Sequence, residues 1–153
     1  MSKNIQINQR FLNFCCLLMA CIFMAACDSE PVNTGPTLSD AWIRALPTGS
    51  GMTAGFGTLH NPGPTAIQIV SFSSPSFGEV SLHRTEMVDG VSRMREVPVL
   101  SIDADSRIVL APGGYHLMLM MPAGDIQPGH TVTLEMATAD GRRFRFAVPV
   151  ERR

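Results

Sequence analysis

The 153-residue chain predicts an all-β domain, an antiparallel sandwich or barrel, from three observations. Short apolar runs recur at near-regular spacing from residue 40 to residue 150. Turn signals separate them: Asn61-Pro62-Gly63, Asp89-Gly90, Pro112-Gly113-Gly114, Pro128-Gly129 and Asp140-Gly141. No long 3.6-residue period and no internal repeat interrupts that pattern, and many short strands at even spacing are the mark of a sandwich or barrel.

Residues 1–26 read as a signal peptide. Lys3 and Arg10 make a basic start without acids, and residues 11–27 (FLNFCCLLMACIFMAAC) are almost wholly apolar. That run is shorter than the ~20 residues a spanning helix needs. Met24-Ala25-Ala26-Cys27 resembles the bacterial lipobox, in which small residues precede a cysteine that is lipidated and becomes the mature N-terminus. Met24 stands where leucine is usual, and ordinary cleavage near Ala25-Ala26, giving a free periplasmic protein, is the alternative. Asp28 resembles the residue that retains lipoproteins in the inner membrane of some Gram-negative bacteria. A lipid on Cys27 would anchor the domain in the periplasm, with residues 27–38 as lipidated cysteine and linker.

Cys15, Cys16 and Cys21 leave with the leader, so the mature domain has no disulfide and no thiolate ligand within its fold. Loss of Lys3 and Arg10 leaves 10 basic against 13 acidic side chains, a net charge of −3. No basic patch points to nucleic acid.

The expected domain spans 39–150, with strands at 40–46, 54–61, 66–72, 79–88, 91–97, 107–110, 116–121, 131–137 and 143–150. Alternation sets several faces. Phe144, Phe146 and Val148 share one side of the last strand and Arg143 and Arg145 the other. Val132, Leu134 and Met136 do the same on the strand before it, and Asp140-Gly141 closes that hairpin. Trp42 and Phe56 read as core fillers.

The chemistry concentrates between His83 and Met118. His83, Met94, His116 and Met118 are separated by ten, twenty-one and one residues. Imidazole nitrogen and thioether sulfur make a soft, uncharged donor set that suits Cu(I). If Asp89-Gly90 forms a two-residue type I′ turn, Val88 pairs with Val91, Thr85 with Met94 and His83 with Glu96. His83 and Met94 then emerge on one face as diagonal neighbours, roughly 7–8 Å apart at Cα. A one-residue slip would separate them to opposite faces. His116 and Met118, two apart on a strand, also share a face, with Leu117 and Leu119 directed into the core. Gly113-Gly114 lets the chain turn tightly before them.

A lone methionine in a strand is ordinarily core filler. Joint placement is what singles out these four. Met87, on the same hairpin face as His83, and Met120 and Met121 are further thioethers that could line the site or pass metal along. His60 beside Asn61-Pro62 and His130 after Gly129 read as surface or hydrogen-bonded residues and stay outside the site.

The spacing His-x10-Met-x21-His-x-Met resembles that of the PCu(A)C periplasmic copper chaperones, formerly a domain of unknown function. Asp40-Ala41-Trp42-Ile43-Arg44, Met87-Val88-Asp89-Gly90-Val91 and Pro112-Gly113-Gly114-Tyr115-His116-Leu117-Met118-Leu119 are similar to that family too, and the likeness covers roughly 38–150. The resemblance implies a cupredoxin-like β fold and one Cu(I) held by His83, Met94, His116 and Met118. It also implies delivery towards cytochrome c oxidase, with a Sco-type copper protein and oxidase subunit II as partners. Many members carry a His/Met-rich C-terminal tail associated with Cu(II), whereas this chain ends Glu151-Arg152-Arg153.

Two functional readings follow, a Cu(I) metallochaperone and a passive copper-buffering or resistance protein. Blue-copper electron transfer needs a cysteine thiolate beside two histidines, and Cys27 lies far outside the fold. An enzyme is not expected: the mature chain has no nucleophile elbow, no Cys-x-x-Cys and no phosphate loop, and Gly49-Ser50-Gly51 lacks the phosphate-loop lysine.

Overall fold

The computed structural model describes residues 35–46 and 49–153. The expected signal peptide over 1–26, the lipidation site Cys27 and most of the linker lie outside the described residues.

Ten strands and no helix occupy the described chain: β1 (Thr37–Arg44), β2 (Met52–Asn61), β3 (Ile67–Ser74), β4 (Phe77–Val88), β5 (Val91–Glu96), β6 (Leu100–Ile102), β7 (Ser106–Leu110), β8 (Tyr115–Pro122), β9 (Thr131–Thr138) and β10 (Arg143–Glu151). Neighbours follow the order β5-β4-β8-β2-β1-β10-β9-β3, and β3 pairs back onto β4, so the sheet closes into a barrel. Closure pairs the β3 and β4 edges that an open sheet would expose, leaving β5 and β6 as the outlying strands. Almost all pairings are antiparallel; β1 runs parallel to β10, and β7 touches β8 in parallel through Leu110 and Tyr115. This is the expected all-β, cupredoxin-like architecture.

The barrel is filled by one apolar cluster. Ile43, Leu59, Leu117, Leu119, Met136 and Val148 are its most completely buried members. Alternation of buried and exposed residues on β9 and β10 follows the sequence pattern: Val132, Leu134 and Met136 are buried, Val148 is buried, and Arg143 and Arg145 are exposed. Thr138 N donates to Arg142 O at 3.0 Å and Gly141 has φ 86°, which makes a three-residue hairpin loop ending in a left-handed glycine.

Three features differ from expectation. β1 begins at Thr37, inside the stretch read as linker, because Thr37, Leu38 and Ser39 pair with His60, Leu59 and Thr58 of β2. Strand β6 was not expected: it is three residues long, too short for a period to show, yet it buries Leu100 and Ile102 against the core. Trp42 is half-buried rather than a core filler. It lies on the buried Phe56 with ring centroids 4.6 Å apart, and the guanidinium of Arg153 covers it at 5.0 Å.

The β1–β2 contact depends on Gly57. Its φ is 151°, and a Cβ there would meet the Ala41 backbone at 3.0 Å and the Leu38 side chain at 3.1 Å. Glycine lets the bulged part of β1, where Asp40 has φ 50°, lie tightly over β2.

Candidate metal centre

Strand β4 is the spine of the site. Its start pairs with β3, its length with β8 and its end with β5, so β4 and β5 project past the barrel as a hairpin. Asp89 and Gly90 both have positive φ, 53° and 76°, as a type I′ turn requires. The register is the one that turn dictates: Val88 opposes Val91, Thr85 opposes Met94 and His83 opposes Glu96.

β8 supplies the second pair. Gly113, at φ 80°, turns the chain, and Leu117 and Leu119 sink into the core, which sends His116 and Met118 to the other face. Across the β4–β8 ladder His83 directly opposes His116, and Ser81 opposes Met118. Directly opposed residues share a sheet face. His83, Met94, His116 and Met118 therefore lie on one face of three adjacent strands.

The side chains converge. The two imidazoles are stacked, with ring centroids 6.1 Å apart and planes inclined by 28°. His116 Nε2 lies 3.1 Å from Met94 Sδ, although the two are 22 positions apart in the chain. The Nδ1 of His116 is 3.0 Å from the Gly114 carbonyl, which only accepts, so Nδ1 carries a proton and donates there while Nε2 is turned to the sulfur. Fixing one ring nitrogen by a carbonyl is how proteins orient a metal-ligating histidine. A tetrahedral ion with metal–nitrogen and metal–sulfur bonds of about 2.0 and 2.3 Å holds such donor atoms about 3.5 Å apart. His116 is buried, His83 and Met118 are half-buried, and Met94 is 53 % exposed, so the site is open on the Met94 side.

Two neighbours were not read from the sequence. Ser81 Oγ hydrogen-bonds His83 Nε2 at 3.0 Å, and the Gly114 carbonyl also accepts from Thr85 N at 3.1 Å, tying β8 to the hairpin. Ser81 stands two residues before His83, so strand parity was the signal that could have found it. Met87 is on the same face beyond Thr85 and is 69 % exposed; Met120 follows Met118, opposite Glu79. His60 and His130 have local partners in Asp105 Oδ1 and the Gln127 backbone N–H.

Charge is sorted by face. The ligand face of the hairpin carries Glu79 and Glu96 and no Arg or Lys; Arg84, Arg93 and Arg95 occupy the opposite face with Glu86, which pairs with Arg84 at 2.9 Å. Such a face favours a cation. No group of three or more His, Cys, Asp or Glu gathers among the described residues, so the thioethers are needed to complete a ligand set.

Comparison with known proteins bears on the family and the fold. Residues 36–150 match the family model described as "Putative lipoprotein LpqE-like". The chain is 36% identical over 118 residues to "Putative lipoprotein Lxx21020" of Leifsonia xyli subsp. xyli, covering 76% of this chain and 70% of that protein. Among solved structures, Cu(I)-bound DR1885 of Deinococcus radiodurans superposes with TM-score 0.64 at 27% identity, over 81% of this chain and 82% of that one. The copper-bound PCuAC domain of PmoF2 also superposes with TM-score 0.64, at 17% identity over 77% of this chain and 93% of that domain, a likeness of fold. With the family match spanning nearly the whole barrel, the chain belongs to the LpqE-like family and has the fold of the PCu(A)C domains.

Proposed function

We propose that this protein is a periplasmic Cu(I) metallochaperone that holds one ion through His83, Met94, His116 and Met118 and passes it towards cytochrome c oxidase assembly. The observation that carries this reading is the approach of His116 Nε2 to Met94 Sδ at 3.1 Å with the ring's other nitrogen engaged by Gly114. Both donors are neutral and soft, which favours Cu(I) over Zn(II) and over harder cations. The relative DR1885 has been solved in a Cu(I) form, which supports the same cargo here.

An open site suits a carrier better than a store. Met94 sits on β5, which among the described residues pairs only with β4 and has all six residues exposed, so an incoming thiolate of an acceptor can approach that ligand directly. A Sco-type copper protein and oxidase subunit II are the proposed acceptors. No step of bond making in a substrate is assigned; the task is binding and release. A lipid on Cys27 would hold the barrel at the inner membrane beside such acceptors, and the lipoprotein naming of the relative from Leifsonia supports an anchor of this kind.

The deciding experiment is competition titration of the mature domain with Cu(I), followed by transfer to apo subunit II and to an apo Sco-type protein. One equivalent bound and handed on establishes the chaperone. One equivalent bound and retained against both acceptors makes the protein a copper buffer, and no tight equivalent removes the copper reading.

A further inference from the structure

Methionines in a β domain ordinarily fill gaps in the core. Met136, fully buried, does so here. The other described methionines do not. Met52, Met87, Met94 and Met121 are each more than half exposed, and Met118 and Met120 are half-buried. A single exposed methionine would carry no meaning. These are arranged by register: Met52 of β2 directly opposes Met120 of β8, and Met118 lies two residues along β8 on the same face, opposite Ala54.

We infer that Met52 and Met120, with Met118 shared, form a second and weaker station for a soft monovalent metal ion beside the His/Met centre. The inference rests on reading this face as a copper centre. Directly opposed residues have Cβ atoms about 4.5–5.5 Å apart, and two flexible thioethers at that separation reach one ion between them. Met118 follows at one strand repeat, about 6–7 Å along β8. It belongs to both sets, so an ion at Met52–Met120 is one ligand exchange from His116. Glu79, opposite Met120 on its other side, adds negative charge without being a soft ligand, while Arg44, the nearest cation by register, lies beyond Ala54 with its guanidinium over the Phe56 ring at 5.5 Å. The neighbourhood is firmly tied: Met121 N donates to Gly51 O at 2.9 Å and Ser50 Oγ to Met52 O at 2.9 Å.

A thioether-only station binds more weakly than one that includes two imidazoles. It therefore serves as a loading point from which the ion falls into the stronger site.

The test is a titration of the mature domain with Ag(I), a soft monovalent stand-in for Cu(I), followed by the NMR signals of the methionine ε-methyl groups. The first equivalent is expected to move Met94 and Met118, and the second to move Met52 and Met120 with no change in hydrodynamic size. Met52→Leu/Met120→Leu, which keeps volume and apolarity, is expected to bind the first equivalent as before and to weaken the second at least tenfold. In His116→Ala the strong equivalent is lost, while the Met52 and Met120 methyls still respond. Unmoved Met52 and Met120 methyls past one equivalent overturn the station and leave the His/Met centre standing. A double variant that still takes two equivalents, or a second equivalent that appears only as two molecules associate, overturns it as well.

Discussion

His116 Nε2 lies 3.1 Å from Met94 Sδ while the ring's Nδ1 is held by the Gly114 carbonyl, so the chain aims one imidazole nitrogen at a thioether. On the proposed copper-binding reading both are ligands, and removing either partner tests it. His116→Ala is expected to cost Cu(I) affinity more than the roughly 10–100-fold that losing an outer partner of a metal ligand costs, and Met94→Ala at least that range. Met94 is exposed, so its variant should change folding stability by less than about 0.5 kcal/mol. Equal Cu(I) affinity in wild type and Met94→Ala by competition titration would remove Met94 from the ligand set.

Protons compete with metal for imidazole. Cu(I) affinity should therefore fall as pH is lowered from neutral to about 5. Two imidazole ligands make the loss steeper than one, and His83→Ala should halve the slope. A flat affinity between neutral pH and about pH 5 contradicts histidine ligation.

The Ser81 hydroxyl hydrogen-bonds His83 Nε2 at 3.0 Å. An ion bound at that nitrogen must displace it. A hydrogen bond of this kind is worth about 1 kcal/mol net, so Ser81→Ala should tighten Cu(I) binding by up to about fivefold. Weaker binding in the variant would mean that Ser81 orients the ring for the metal instead.

Gly57→Ala tests the barrel seam. The new methyl would sit 3.0 Å from the Ala41 backbone at a φ that side chains rarely adopt. Destabilisation of about 2–4 kcal/mol is expected from strain at a special backbone conformation. Urea unfolding measures it, and a change below about 0.5 kcal/mol would show that β1 slides freely over β2.

Asp140 sets part of the acid limb of stability. The Thr138 hydroxyl first, then the Arg142 backbone N–H and guanidinium, hold its carboxyl below the usual value of 3.8. A depressed folded-state pKa stabilises above the unfolded value and is lost as pH falls through the folded one. Asp140→Asn should therefore unfold with a flatter dependence on pH below about 4, measured by denaturation across that range. An unchanged acid limb would show that the Thr138 and Arg142 contacts do not outlast solvent exposure.

The hairpin half of the site was legible because a two-residue turn leaves one register: Asp89-Gly90 places Met94 opposite Thr85, and the structure has that pair. The parity of His116 and Met118 was legible from Leu117 and Leu119. The direct opposition of His83 and His116 was not, since 32 residues and three strands intervene and no turn links β4 to β8. Met52 was missed for the same reason: it becomes a neighbour of Met120 only through a pairing between distant strands. The short β6 and the early start of β1 depend on partners that local pattern does not reveal.

His83, His116 and Met118 stand on strands built into the closed barrel, whereas Met94 rides on β5, whose outer edge has no partner among the described residues. Backbone amides of β5 should thus exchange with solvent through fraying of one hairpin, long before the barrel opens. If the proposed copper-carrier reading holds, the ion's residence time follows how often that margin peels away, a quantity tunable at the β4–β5 hairpin with little effect on the barrel.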